Sequence, residues 1–188
     1  MEKQQYPSLS FFGKERFTPL VFSKDTFIFN WEITPGHGVM EHIHPNVDET
    51  FEITQGEITF KIEGKTRVAK VGETLTIAKG IPHEIKNVSK DNAACKVSYY
   101  PAGDQGNFFD TGLFLLNENP AINGSAGMVF KMMYISKQMG FEEFSEPANK
   151  VVKVVLPILW VPIKLYAEIA GWRKIFKRYK KYKTLTTA

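Results

Sequence analysis

Cysteine is nearly absent from this sequence, which has one in 188 residues. A single cysteine excludes an intrachain disulfide framework and suits a reducing compartment. Cys95 is therefore expected to be a small buried hydrophobic residue and not a nucleophile. The first ten residues also lack the basic and apolar segments of a secretory signal. We therefore expect a cytoplasmic protein.

Long hydrophobic runs are absent as well. The most apolar stretch, residues 151–163, contains Lys153, Pro157 and Pro162, and it is shorter than the roughly 20 apolar residues that a transmembrane helix needs. A membrane-spanning helix is not expected. Two alternatives remain for this stretch. It is a helix packed on the β-barrel that we expect at residues 17–101, or on another subunit of a homodimer, or else it is a segment at a membrane interface.

The positive charge is concentrated at the C-terminal end. The chain has 24 Lys and Arg against 20 Asp and Glu, net +4. Residues 151–188 hold nine of these basic residues and one acidic residue, so this segment is +8 and residues 1–150 are −4. Residues 172–183 combine basic residues with aromatic residues at helical spacing, which favours a peripheral contact of 151–183 with an anionic membrane. No nucleic-acid partner is expected, because no nucleic-acid-binding motif accompanies these residues. A solvated basic face on a terminal packing helix is the alternative.

Short runs of β-branched and aromatic residues, closed by Gly, Pro, Asn or Asp, fill the chain from Phe17 to Pro101. They predict an antiparallel β-sandwich or barrel. Helices are predicted at 108–116, 131–140 and 151–182. The last has an apolar stripe through Leu165, Ile169, Trp172, Phe176 and Tyr179. Examples of the predicted strands are 26–34, 50–54, 57–63, 65–71, 73–78 and 96–100.

The first segment with chemical meaning is GHGVMEHIHPNVDETFEITQG, residues 36–56. His42 and His44 are two residues apart, so on an extended strand both imidazoles point to the same face. Residues 45–48 form a plausible turn, after which Glu49 begins a new strand and can direct its carboxylate towards the two imidazoles.

The second segment is GETLTIAKGIPHEIKN, residues 72–87, which supplies His83. Three imidazoles and one carboxylate suit a divalent transition metal such as iron, manganese, nickel or zinc better than calcium or magnesium. The sequence therefore predicts a metal site formed by His42, His44, Glu49 and His83.

These two segments resemble the motifs of the cupin superfamily. The pattern G-x5-H-x-H-x4-E-x6-G is met by Gly36, His42, His44, Glu49 and Gly56, and the pattern G-x5-P-x-G-x2-H-x3-N by Gly72, Gly80, His83 and Asn87, with Ala78 in place of proline. The resemblance implies a mainly β protein with an antiparallel jelly-roll β-barrel that holds a metal. We expect an N-terminal extension at 1–16, the barrel at 17–101 and a helical C-terminal extension with a basic amphipathic tail at 102–188.

Other residues near the motifs have less specific interpretations. His37 lies in a turn and is expected on a surface loop, while Glu41 and Asp48 should face away from the ligands. The motif glycines are expected to shape turns. Candidates to line an apolar interior are Trp31, Met40, Phe51, Ile53 and Phe60.

The expected function is a metal-dependent enzyme that acts on a small organic molecule by oxygenase, dioxygenase-like, chemistry. Two alternatives are a non-catalytic small-molecule-binding or sensor protein and a metal-dependent isomerase. No effector domain such as a helix-turn-helix is recognisable beside the barrel, which favours the enzyme.

Overall fold

The computed structural model describes residues 6–23, 25–141 and 145–186. Ten strands precede the first helix: β1 (Leu9–Phe11), β2 (Glu15–Phe22), β3 (Phe27–Ile33), β4 (Gly38–Ile43), β5 (Asp48–Gln55), β6 (Glu57–Ile62), β7 (Lys65–Lys70), β8 (Thr74–Ile77), β9 (His83–Lys86) and β10 (Ala93–Tyr100). They are followed by α1 (Gln105–Glu118), α2 (Ala126–Met139), the short strand β11 (Glu146–Pro147), α3 (Lys150–Ile169) and α4 (Trp172–Thr186).

The strands form two antiparallel sheets in a jelly-roll arrangement. One sheet has the order β1-β2-β3-β10-β5-β8, and the other has the order β11-β4-β9-β6-β7. Consecutive strands often lie in different sheets: β3 and β5 belong to the first sheet, whereas β4, which lies between them in the sequence, belongs to the second. The two sequence segments that carry the predicted ligands are thereby brought side by side, because β4 pairs with β9 in one sheet and β5 pairs with β8 in the other.

The core between the sheets follows from the alternation of side chains along each strand. Along β3 and β10, every second residue is buried, which is the period that one buried sheet face requires. Phe51 from one sheet and Phe60 from the other meet with ring centroids 4.9 Å apart. Cys95 lies fully buried in this core, and burial raises the pKa of its thiol, so it behaves as the hydrophobic residue that was predicted.

Helix α1 covers the barrel with two adjacent aromatic residues, Phe108 and Phe109. The Phe109 ring lies 5.0 Å from Phe27 and 5.1 Å from Phe29, centroid to centroid. Phe108 meets Phe11 edge to face at 6.3 Å. The helical region is therefore packed on the barrel through aromatic side chains.

The predicted helices are present, but their bounds differ from the prediction. The helix predicted at 108–116 extends over the whole of α1, and the single helix predicted at 151–182 is two helices, α3 and α4. They separate at Ala170 and Gly171, where Gly171 adopts a φ of 73°, a left-handed conformation that commonly ends helices. The predicted apolar stripe divides there: Trp172 and Tyr179 are buried, whereas Leu165 and Ile169 are 64% and 80% exposed.

Strands β1 and β2 extend the larger sheet before the first ligand motif. β1 pairs with β2, and β2 pairs with β3. β1 lies within the segment predicted as an N-terminal extension, of which residues 1–5 lie outside the described residues. The division of the chain into three segments stays a prediction.

Candidate metal centre

The structure brings the four predicted ligands together inside the barrel. One donor atom from each of His42, His44, Glu49 and His83 lies within 4.8 Å of the others. The Nε2 atoms of His42 and His44 are 3.1 Å apart, and Glu49 Oε2 lies 2.9 Å from His83 Nε2 and 3.5 Å from His44 Nε2. Three imidazole nitrogens and a carboxylate at these separations could hold a divalent transition metal.

Backbone pairing fixes the positions of the ligands. His42 on β4 is directly opposite His83 on β9. Gly80, in the turn before β9, has a φ of 80°, and its N–H donates to the His44 carbonyl at 2.8 Å. This hydrogen bond joins the two motif segments, and the left-handed conformation explains why glycine suits position 80. The other motif glycines, Gly36, Gly56 and Gly72, also have positive φ and lie in turns, as predicted.

Two of the imidazoles are oriented by backbone carbonyls. His42 Nδ1 lies 2.8 Å from the Met40 oxygen, and His83 Nδ1 lies 2.8 Å from the Ile81 oxygen. A carbonyl only accepts, so each Nδ1 carries a proton. The Nε2 lone pair of His42 points into the cluster, which is the tautomer that a metal bound at Nε2 requires. His83 Nε2 instead donates to Glu49 at 2.9 Å; burial would lower the pKa of His83, but this hydrogen bond outweighs it and raises the pKa, so a metal at Nε2 would take the place of that proton.

The third imidazole is held by a side chain from helix α1. Gln105 is buried, and its amide nitrogen lies 3.0 Å from His44 Nδ1. In this arrangement the amide donates to Nδ1, and the His44 proton is on Nε2, facing the Glu49 carboxylate. With a metal bound at Nε2, the His44 proton would be on Nδ1. The Gln105 amide, rotated by 180°, would then offer its oxygen as the acceptor for that proton.

Glu49 carries the negative charge of the cluster. Burial is the strongest influence and would raise the pKa of Glu49, but hydrogen bonds from His44 and His83 outweigh it and hold the pKa well below its usual range. The buried Tyr99 hydroxyl also hydrogen-bonds to Glu49. Burial lowers the pKa of His42 to about 4. The neutral imidazole of His42 and the ionised carboxylate of Glu49 are the forms that bind metal.

A cavity of about 230 Å³ opens beside the cluster. His42, His44 and Glu49 form part of its wall, and α1 covers it with Phe108 and Phe109. The remaining lining is largely apolar and comes mainly from the first three strands, namely Phe11, Phe17, Phe29 and Trp31.

Two polar groups other than the ligands stand out in this apolar lining. The Trp31 indole N–H is buried and has no hydrogen-bond partner of regular geometry among the described residues. Glu15 lies near it: burial raises the pKa of Glu15, and the Trp31 indole and the Gly38 backbone N–H act in the opposite direction. Trp31 and Glu15 both line the cavity, so they are polar groups that a bound molecule could meet beside the ligands.

The predictions for the neighbouring residues have mixed outcomes. Glu41 and Asp48 lie outside the cluster: Glu41 is 3.9 Å from Lys61, and Asp48 accepts from the Lys79 N–H. His37 is partly exposed and also lies outside the cluster.

Of the five residues predicted to line the interior, Trp31 lines the cavity. Phe51, Ile53 and Phe60 are buried in the solid core instead. The prediction for Met40 was wrong, because this side chain is 82% exposed.

Asn87, the last residue of the second motif, has a structural position. It is fully buried, and its amide donates to the carbonyls of Ile33 and Asp91 at 3.0 and 2.8 Å. Its oxygen accepts from Ser89. Asn87 thus holds the loop after β9 and does not contact the metal ligands.

These features define a class: a small jelly-roll barrel with a buried three-histidine, one-glutamate cluster next to an apolar cavity. Residues 29–99 match the family model of the cupin domain. This part of the chain is therefore a cupin domain, as the motifs predicted.

Solved structures that resemble this chain cover about half of it. KdgF from Halomonas sp. has a TM-score of 0.50 and 15% identity, covering 54% of this chain and 91% of that protein. An RmlC-like cupin from Shewanella frigidimarina has a TM-score of 0.49 and 15% identity, with coverages of 56% and 92%. A double-stranded β-helix protein from Klebsiella pneumoniae has a TM-score of 0.44 and 20% identity, with coverages of 47% and 78%. No curated protein sequence matches this chain.

Sequence reasoning missed three residues that complete the site: Gln105, Tyr99 and Glu15. Gln105 lies 61 residues after its partner His44, and no local motif links the two. Tyr99 is opposite Glu49 in the β10–β5 pairing, so a correct strand register would have indicated it. Glu15 lies in a segment that was assigned to an extension.

Proposed function

We propose that the protein is a metal-dependent cupin enzyme that acts on a small organic molecule, with dioxygenase-like chemistry at a mononuclear centre. The observation that carries the proposal is the position of the four donor atoms of His42, His44, Glu49 and His83. They lie within 4.8 Å of one another, and three of the four residues line an otherwise largely apolar cavity. A ligand cluster that served only to stabilise the fold would not need such a cavity.

A divalent transition metal held by these residues would supply Lewis acidity, and iron or manganese would also supply redox chemistry with dioxygen. The four side chains leave coordination positions open on a six-coordinate ion. A dioxygenase reaction places both atoms of dioxygen in the product, and the substrate supplies the electrons, so no separate reductant is required. Phe108 and Phe109 of α1 add apolar surface to the cavity wall, which would disfavour water beside the metal.

The cavity indicates the size and the polarity of the substrate. A cavity of about 150 Å³ holds a benzene molecule, so 230 Å³ suits a single substituted ring or a molecule of similar size. The aromatic lining favours an apolar body. The Trp31 indole N–H would donate to an acceptor on the substrate, and Glu15 would accept from a hydroxyl or an N–H.

Oxygen uptake by the metal-loaded protein tests this proposal. Purified protein is loaded with iron or manganese and assayed against single-ring phenols, short diketones and larger flavonoids. We expect oxygen uptake with a single-ring phenol or a short diketone, and we expect Glu49→Gln to lose this uptake. Tight binding of such a compound without turnover would instead indicate a binding protein, and conversion without oxygen uptake would indicate an isomerase.

Replacement of Trp31 by phenylalanine tests the substrate contact separately. The change retains an aromatic ring and removes the N–H, so metal content should be unchanged while binding of an acceptor-bearing ligand weakens by roughly tenfold, the effect of about one lost hydrogen bond. Phe51→Leu is the matched control, because it replaces an aromatic residue of the core that lies outside the cavity lining. Equal ligand affinity in wild type and Trp31→Phe would remove Trp31 from the site.

A further inference from the structure

The outer face of helix α3 carries an uncovered apolar stripe. Six of its residues, Val151, Val154, Ile158, Val161, Leu165 and Ile169, are between 64% and 80% exposed. They are spaced by three or four residues, and at 3.6 residues per turn they fall within an arc of about 80°. We call these six residues the α3 stripe.

The opposite face of α3 is the one that contacts the protein. Ala167 is fully buried, and the Trp160 ring stacks on Tyr134 of α2 with centroids 6.4 Å apart. Tyr134 also approaches Glu168, with its hydroxyl 3.4 Å from the carboxylate. The stripe therefore faces outward while the helix is attached by its other side.

Helix α4 presents basic residues next to the end of the stripe. It is anchored by the buried Tyr179, whose hydroxyl donates to Asp110 of α1 at 2.9 Å, and by Arg178, which pairs with Glu118. Its outer positions include the exposed residues Arg173, Lys174 and Lys177. Arg173 follows Ile169, the last residue of the stripe, by only four positions.

An apolar stripe joined to a basic helix matches an anionic lipid surface, where apolar side chains enter the acyl boundary and basic side chains contact headgroups. A second copy of the chain suits this surface less well, because pairing would bring together two C-terminal segments of charge +8 each. We propose that α3 lies in the interface of an anionic membrane and that α4 binds its headgroups. The protein would then be a peripheral membrane protein.

No single helix in the described ranges is long and apolar enough to cross a membrane, whereas α3 and α4 taken together pass that criterion but bend by 87° at their junction.

The proposed membrane-binding helix α3 lies close to the metal centre along the chain. Ser145, five residues before the start of α3, lines the cavity, and β11 pairs Pro147 with His42. When α3 lies on a membrane, the cavity lining at Ser145 would therefore be five residues along the chain from the membrane-bound helix.

Co-sedimentation with vesicles tests the proposal on the full-length protein. Wild type should bind vesicles of phosphatidylcholine and phosphatidylserine and should bind pure phosphatidylcholine vesicles much more weakly. Ile158→Asp with Leu165→Asp should reduce binding at least about tenfold, because each exposed side chain would lose its burial in lipid. Both residues are exposed, so the melting temperature should be unchanged.

Val71→Asp with Val88→Asp is the matched control, since these barrel residues are 59% and 60% exposed and should not contact lipid. Lys174→Gln with Lys177→Gln should weaken binding to the anionic vesicles by roughly 25-fold, at about 1 kcal/mol for each basic residue. Equal binding by the wild type and the Ile158→Asp, Leu165→Asp variant would overturn the proposal. So would failure of the wild type to bind, or a wild-type dimer that this variant dissociates without any binding to vesicles.

Discussion

Replacing Gln105 by leucine should weaken metal binding without removing a ligand. Gln105 is 2% exposed, and its amide lies 3.0 Å from His44 Nδ1. In the metal-bound form the amide oxygen accepts the Nδ1 proton and holds the ring with Nε2 towards the cluster. Leucine has a similar size and no acceptor, so the His44 ring loses this restraint and the buried Nδ1–H is left without this partner.

The expected loss is 10- to 100-fold in metal affinity, the usual effect of removing the hydrogen-bond partner of a ligating histidine. This corresponds to roughly 1.4 to 2.8 kcal/mol. Gln105→Glu should restore or improve the affinity, because a carboxylate is a stronger acceptor for the Nδ1 proton. A merely structural role for Gln105 would not give this pattern of loss and rescue.

Competition titrations with a chelator of known affinity measure the effect on one metal across the variants. Asn107→Leu is the control, since it makes the same kind of change on α1 at a residue whose amide bonds to Asp104 and not to a ligand. Unchanged affinity in Gln105→Leu, or an equal loss in Asn107→Leu, would refute the reasoning about His44.

Three further predictions concern the fold. Phe109→Ala should destabilise the protein by about 3 to 5 kcal/mol in urea unfolding, because it removes a buried ring that contacts five other rings; a loss under 1 kcal/mol would contradict this. Burial and the Asp110 carboxylate raise the pKa of Tyr179, so the contribution of Tyr179 to stability is fully present below about pH 10 and should decline as the pH rises further. Denaturation midpoints measured at pH 8 and above pH 10 test this. The variant Tyr179→Phe should show a smaller change in midpoint with pH. Cys95 should react with a thiol reagent only after denaturation, because it is buried and the pKa of its thiol is raised; rapid labelling of the folded protein would contradict its position in the core.

Three of the four ligands, His42, His44 and Glu49, could be predicted from the sequence because their geometry is local. Two imidazoles separated by one residue share a strand face, and Glu49 returns on the next strand. The fourth ligand, His83, comes from a distant segment, but the second motif marks it. The same alternation explains why the barrel strands were predicted well.

Met40 shows where this reasoning fails. Position 40 is two residues before His42, so regular alternation places both side chains on the inner face. The β4–β9 register shifts between Val39 and His42, which is the effect of a bulge. Val39 therefore lines the cavity, while Met40 faces solvent.

The cavity lining could not be predicted, because much of it comes from segments far from the motifs. Phe108, Phe109 and Gln105 reach the site only when α1 packs on the barrel, and Phe11 and Glu15 arrive with the two strands before the family domain. These contacts depend on tertiary packing, which leaves no fixed spacing in the sequence. Trp31 was predicted to line the interior, but Glu15, the polar residue beside it, was missed for the same reason.

The metal content of the purified protein tests the central claim most directly. Elemental analysis by mass spectrometry should find one transition-metal ion per chain in the wild type. His42→Ala and Glu49→Gln should lose it, because each removes one of four donors from the cluster. A wild type that binds no metal after incubation with iron, manganese, nickel and zinc, or ligand variants that retain one ion per chain, would contradict the assignment.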